Sequence, residues 1–344
     1  MAPEADRYRQ AGVSLEAARE ATRRIEAALS SARTPEVLAG VGAFAGAFDA
    51  ARLGRFKAPV LLASTDGVGT KTLLAVRAGR LRGLGHDLVN HGLDDLLAAG
   101  GWPLFFLDYL AAARLDPPAV AELVGGIAEA ARAAGMPVLG GETAEMPGVY
   151  REGAVDVAGT IVGVAERDEL PDPARVRAGD RILALPSSGL HTNGYSLARR
   201  AVAGEDLEAP RPELGGASLL DALLVPHRSY LPEWRRLRRA GCRPKVAAHV
   251  TGGGVYGNLP RVLPPGLGAV IHRGRWVEPA VFAFLQDRAE ATDREMFEVF
   301  NMGLGMLLVY RPEAVPRVRA LLPEAREVGE IVEGAGVRVV GVDG

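Results

Sequence analysis

The sequence predicts an α/β chain of two domains. Its 344 residues exceed one ordinary domain, at roughly 100–200 residues per domain. Short apolar runs alternate with segments of helical period along its length. The stretch from Glu166 to Arg177, with Pro171 and Pro173, is the best linker. It sets an N-terminal domain over 1–168 against a C-terminal domain over 169–344.

Composition narrows the function classes. The formal net charge is −2, so nothing favours nucleic acid or an anionic membrane as a partner. No apolar run approaches the length of a membrane span, and residues 1–33 have no signal-peptide apolar core. Cys242 is the only cysteine, which excludes an intrachain disulfide and a cysteine metal cage. The expectation is a cytoplasmic enzyme or binding protein.

The first element is an amphipathic helix over 14–32, capped by Ser14. The run from Gly40 to Gly46 has the form Gly-x-Gly-x-x-Ala. No strand precedes it, so it reads as a small-residue turn or backbone cradle. A buried strand after Pro59 then leads into Thr65-Asp66-Gly67-Val68-Gly69-Thr70-Lys71, and a helix follows from Thr72. Gly67 and Gly69 at such a junction let backbone approach a ligand closely. Lys71 offers a point charge to phosphate, and Asp66 a hard oxygen of the kind Mg²⁺ takes. Thr70 separates Gly69 from Lys71, so this is not a P-loop. Alone, the stretch fits an ordinary glycine-rich turn equally well.

Residues 84–99 read as a helix carrying Asp87 and Asp94 on one face, with Asp95 about 100° round. These acids read first as a solvated face, and second as a cation site. Pro103 to Ala112 is an apolar strand with Asp108 embedded in it, which requires a partner or a metal. A helix over 119–134, a short strand at Val138-Leu139, the polar run Gly140 to Gly148 and a strand over 155–164 complete this half.

The second half opens with a strand, Arg181 to Leu185. It breaks into a run of turn formers and hydroxyls ahead of a helix over 195–203. Such a loop can hold phosphate or sugar through N–H and O–H groups. His191 within it is a proton carrier, a hydrogen-bond donor or polar filler. A strand over 246–250 precedes Thr251-Gly252-Gly253-Gly254, a dinucleotide fingerprint in form only. Pro260 and Pro264 cut the helix that would follow. Further strands and helices alternate through 281–287, 304–310, 313–322, 326–332 and 337–342, with no internal repeat.

Several runs are informative together. They are Thr65 to Lys71, Pro103 to Tyr109, GGETAEMPG at 140–148, Asp156 to Gly159 and SSGLHTNGYSL at 187–197. Thr251 to Gly254, Asn258 to Pro264 and Phe300 to Met306 extend the set. In this order, and across nearly the whole chain, they resemble the phosphoribosylformylglycinamidine cyclo-ligase (aminoimidazole ribonucleotide synthetase) family. GGETAEMPG and SSGLHTNGYSL are the specific ones.

The resemblance implies a two-domain cyclo-ligase fold, α/β or α+β. Its N-terminal mixed sheet forms a barrel across a homodimer, and its C-terminal domain is α/β. It implies ATP-dependent closure of an imidazole ring on a small ribonucleotide, with ATP as cosubstrate and Mg²⁺. Asp66, Asp95 and Asp108 would hold the metal. Gly67, Gly69, Thr70, Lys71, Gly141, Glu142 and Thr143 would hold the nucleotide. Ser187, Ser188, Gly189, His191, Asn193 and Ser196 would hold the substrate, and Lys71, His191 and Asp66 would serve catalysis. Asp66→Asn or Lys71→Ala is then expected to abolish cyclisation and leave the fold intact. The chain departs from the family at Ala43 and Ala45, at Asp94 before Asp95, at His227 before Arg228, at Tyr256-Gly257 and at Glu26. The alternatives are a kinase of the same superfamily, similar to thiamine-monophosphate kinase, and a catalytically silent nucleotide-binding homologue.

Overall fold

The computed structural model describes residues 14–343. The chain separates into two units. One runs through Leu96 and takes in Gly101–Asp168; the other comprises Leu97–Gly100 and Glu169–Gly344.

The first unit opens with α1 (Leu15–Leu29), whose cap Ser14 accepts from the Ala17 amide at 3.2 Å. A small hairpin follows, β1 (Val37–Ala39) and β2 (Ala47–Phe48), with Gly40 to Gly46 as its connection. Then come β3 (Pro59–Gly67), α2 (Lys71–Arg77), α3 (Arg82–Ala98) and β4 (Trp102–Ala112). The unit ends with α4 (Pro117–Ala134), β5 (Val138–Glu145) and β6 (Val155–Glu166). The four long strands form one sheet in the order β3-β6-β4-β5. Only β4 and β5 pair in parallel, because the helix α4 returns the chain between them.

Alternation gives this sheet two faces. Leu104, Phe106 and Leu110 of β4, with Val157 and Ile161 of β6, are buried on the helix side. Leu61 on β3 lies on the other side and is 63% exposed. Gly85 and Gly126 bring α3 and α4 into backbone contact: a Cβ at Gly126 would meet the Arg82 carbonyl oxygen at 2.0 Å, and one at Gly85 the Ile127 nitrogen at 2.3 Å. The run GGETAE, expected to leave a two-residue strand as a loop, instead continues β5 to Glu145. Its ladder with β4 supplies the partners that its loop-like composition hides.

The second unit contains β7 (Arg181–Pro186), α5 (Tyr195–Ala201), α6 (Leu219–Leu223), α7 (Leu231–Arg239), β8 (Val246–His249) and α8 (Gly254–Asn258). It continues with β9 (Leu267–His272), α9 (Ala280–Ala289), α10 (Asp293–Val299), β10 (Leu304–Tyr310), α11 (Val315–Leu321), β11 (Arg326–Glu333) and β12 (Gly336–Val340). Its six-stranded sheet has the order β12-β9-β11-β7-β10-β8, and only β12 and β9 are parallel. Every residue of β10 is buried, so that strand reads as continuously apolar rather than alternating. The short α8 confirms that the Gly252–Gly254 turn does not open a nucleotide-binding helix of ordinary length.

Candidate active site

In the first unit, β3 ends with Ser64 and Asp66 on the helix side, facing α3. His91 and Asp95, one turn apart on α3, meet them. Asp66 accepts from the Gly67 amide at 2.7 Å, and His91 Nε2 lies 3.0 Å from Asp66 Oδ2. The same nitrogen is 3.8 Å from Asp95, which also accepts from the Ser64 hydroxyl at 3.3 Å. Burial works against a charge on His91. The Asp66 hydrogen bond and field, with Asp95 and Asp87 behind, outweigh it and hold the imidazole above its usual pKa. The side chain of Asp66 is 52% exposed, so the cluster opens to solvent on the carboxylate side.

Asp108 shares the helix-facing side of the sheet. Asp66 and Asp108 both pair in register with Gly159 of β6, so they occupy one row two strands apart. That separation is about 10 Å at the backbone. Gly141 continues the row, and a Cβ there would meet Asp108 Oδ1 at 2.2 Å. Among the described residues, Asp66, Asp95 and Asp108 do not gather within 4.8 Å as one ligand cluster. Asp66 and Asp95 share His91; Asp108 stands apart. Its carboxyl is pushed up to about 7 by burial.

That shift has a testable sign. Between about pH 4 and 7 the folded Asp108 holds a proton that the unfolded chain releases, so stability falls as pH rises through this window. Without divalent cations, Asp108→Asn should stabilise the protein by about 1–2 kcal/mol near pH 8, a gain that fades toward pH 4. Urea midpoints across that range measure it.

Lys71 lies deeper than its expected role suggests. It was expected to present its ammonium to phosphate, yet it is 1% exposed and lies inside the unit. Its Nζ sits 2.9 and 2.8 Å from the two oxygens of Asp87, itself fully buried on α3. Burial lowers the Lys71 pKa, and Asp87 opposes that shift. Asp87 and Asp94 were expected first as a solvated face. Both are 0% exposed, because the face they share is the one α3 turns inward. Asp94 therefore adds no carboxylate to the open cluster. Glu142 pairs with Tyr109 and stands on the sheet face opposite Asp66, whereas Thr143, beside Leu110, is on the helix side.

In the second unit, the loop after β7 is tied down from several directions. Ser187 donates its hydroxyl to Asn301 Oδ1 at 2.9 Å, and Ser188 donates to the Pro226 carbonyl at 2.7 Å. Asn301 Nδ2 donates to the Gly189 carbonyl at 2.8 Å. Asn193 is half-buried beside Gly252, and Ser196 is exposed on the first turn of α5. Asn258 staples the neighbouring glycine turn, donating to the carbonyls of Thr251, Gly252 and Gly254. Neither Asn258 nor Asn301 was singled out from sequence, although both lie in the matched runs. An asparagine beside a glycine turn is the signal that could have found them.

His191 is buried as well. It was expected as an acid–base group. It is 1% exposed, adopts a left-handed φ of 60°, and its Nε2 accepts from the Ser188 amide at 3.1 Å. That contact ties the ring into the loop. It stacks on His227 with centroids 3.9 Å apart, and His227 Nε2 is 3.1 Å from His249 Nε2. His227, a departure from the family pattern, thus completes a buried set of three imidazoles.

Residues 48–165 match the domain family described as AIR synthase related protein, N-terminal domain, and residues 177–342 its C-terminal domain. The phosphoribosylformylglycinamidine cyclo-ligase of Oceanobacillus iheyensis is 42% identical over 334 residues, covering 96% of this chain and 98% of that protein. Its namesake from Myxococcus xanthus is 44% identical over 342 residues, covering 98% and 99%. Thiamine-monophosphate kinase from Stenotrophomonas maltophilia superposes with a TM-score of 0.67 at 19% identity, over 94% of this chain and 96% of that one. HypE of E. coli, a hydrogenase maturation protein, gives 0.65 at 17%, over 92% and 93%. These two structures share the fold. Matched nearly end to end by cyclo-ligases, and carrying both domains of the pair in order, the chain belongs to the phosphoribosylformylglycinamidine cyclo-ligase family.

Proposed function

We propose that this chain converts formylglycinamidine ribonucleotide and ATP to 5-aminoimidazole ribonucleotide, ADP and phosphate. The observation that carries this reading is the 42–44% identity to cyclo-ligases over nearly the whole chain. The formyl oxygen is a poor leaving group. Transfer of the γ-phosphoryl to it makes an iminophosphate; the ribose-bearing nitrogen then attacks the formyl carbon, and phosphate departs. Such a reaction needs positioning and charge neutralisation more than a covalent nucleophile.

In this reading Asp66 and Asp95 are the carboxylates that would hold Mg²⁺, and their hard oxygens fit that ion. The cation, when bound, would neutralise phosphoryl charge. His91 donates to Asp66 and fixes its orientation, in the manner of groups behind a metal ligand. Asp108, uncomfortable as an anion where it stands, is the further carboxylate that a cation would favour. The backbone from Gly67 to Thr70, with Gly141 and Thr143, is assigned to the nucleotide. Glu142, on the opposite sheet face, is assigned to it only through a second subunit. Ser187, Ser188, Gly189, Asn193 and Ser196 are assigned to the ribonucleotide, and His191 holds their loop in shape.

The protein is read as a cytoplasmic homodimer. What supports the dimer is the uncovered sheet face around Leu61 in the first unit. Among the described residues no helix is long and apolar enough to cross a membrane.

Phosphate release measured with and without formylglycinamidine ribonucleotide tests the reading. Release that depends on it, with 5-aminoimidazole ribonucleotide as product, is expected. Release indifferent to it, or phosphorylation of thiamine monophosphate, would overturn the proposal and favour the superfamily kinase.

A further inference from the structure

The second unit holds a cavity of about 670 Å³ where β10 runs into α11, beside the turn that follows α7. Its lining includes Arg175, Arg243, Lys245, Arg311 and Arg317, against Glu313 as the one carboxylate. The chain as a whole is slightly acidic, so this concentration of cations is local.

Two of the five cations are already neutralised. Arg243 pairs with Glu169, and the Lys245 ammonium sits 2.7 Å from each oxygen of Asp180. The other three, Arg175, Arg311 and Arg317, form no ion pair among the described residues. Arg317 donates only to the Ala240 carbonyl. Three guanidinium groups round one concavity repel each other, and an anion inside it relieves that repulsion. Guanidinium forks match phosphate oxygens two at a time.

The volume lies within the range of small-molecule pockets, roughly 300–1,000 Å³. A concavity of this size, open to solvent on its arginine side, suits a compact polyanion better than a nucleic-acid strand, which needs a longer groove or stripe. Its floor is Cys242 and Tyr310, both buried, with the Tyr310 hydroxyl donating to the Cys242 carbonyl at 3.0 Å. Burial raises the Cys242 pKa despite nearby Arg317 and Arg311, so the thiol stays protonated and the floor is chemically quiet.

We propose that this cavity binds a compact, multiply charged phosphate compound, at a site distinct from the residues assigned to ATP and to the ribonucleotide. Arg175, Arg311 and Arg317 are its anion ligands; Arg243 and Lys245, held by Glu169 and Asp180, shape its wall.

Calorimetric titration of the full-length protein with sodium tripolyphosphate, in the presence of a saturating non-hydrolysable ATP analogue, tests this. With the nucleotide site filled, about one equivalent per chain should still bind, and more tightly than orthophosphate. Arg311→Glu should weaken that binding about ten-fold or more. Arg319→Glu, on α11 but outside the cavity, controls for overall charge and should leave it unchanged. Both arginines are exposed, so neither variant threatens the fold. Tripolyphosphate that fails to bind the nucleotide-saturated protein, or that binds Arg311→Glu as well as wild type, would overturn the proposal.

Discussion

Lys71→Met should cost the protein about 3–5 kcal/mol of stability, because it strands a buried carboxylate. Lys71 and Asp87 are both removed from water, and each oxygen of Asp87 faces the ammonium at under 3 Å. Taking away one partner removes the other's nearest counter-charge in a low-dielectric interior. Asp87→Leu should cost a similar amount. The double variant Lys71→Met/Asp87→Leu should recover much of the loss, since an apolar pair of comparable volume needs no hydration. Urea denaturation of the three variants and wild type closes the cycle. Single variants as stable as wild type would mean that the ion pair does not form in solution. An intact fold in Lys71→Ala presupposes an exposed ammonium, whereas the buried pair predicts a loss of stability there too.

Asp66→Asn should have the opposite profile: little change in melting temperature above neutral pH, and a fall in kcat of about a hundred-fold or more. The side chain is half exposed, so the fold depends on it weakly. The substitution keeps the shape and the acceptor for the Gly67 amide, and removes the negative charge. It also takes away the main group holding the His91 pKa up. A raised histidine stabilises the fold at pH below its unfolded value and loses that contribution as pH rises through its folded value. The variant should therefore lose stability mainly on the acid side of neutrality, relative to wild type. Steady-state kinetics and melting curves at two pH values separate these effects. Wild-type kcat in Asp66→Asn would remove the carboxylate from its assigned role.

Much of the fold was legible because the period of apolar residues changes cleanly between elements. The strand that runs into Asp66 and Gly67, and the helix expected from Thr72 and found from Lys71, are legible from the stretch Leu61 to Arg77 alone. The extension of β5 through Gly140 to Glu145 was not legible, since two glycines and two glutamates describe a loop by propensity and become strand only through the β4 ladder. The short helix α7 was also missed; its charged stretch Arg235 to Arg239 hides the buried Leu231, Trp234 and Leu237.

At the site, the residue types were readable and their directions were not. Asp108 stands out as an acid in an apolar strand, whereas Asp66 and Asp95 draw their assignment from the family resemblance. Which way Lys71 turns depends on Asp87, sixteen positions away in sequence and across a helix pair. From sequence His191 is a proton carrier, a donor or polar filler alike; where it sits depends on the Ser188 amide and the His227 ring, which no local signal announces.

The crossing of α3 on α4 has an implication for how this enzyme can vary. With backbone touching backbone at Gly85 and Gly126, there is no side chain at that point of the crossing to be traded for a smaller or larger one. The shaft that carries His91 and Asp95 is thereby seated directly on α4 at this point, and its spacing there cannot drift in small steps. Lineages and engineers alike must retune the carboxylate cluster from the β3 side or from the solvent, where individual atoms can be exchanged without lifting the whole rod.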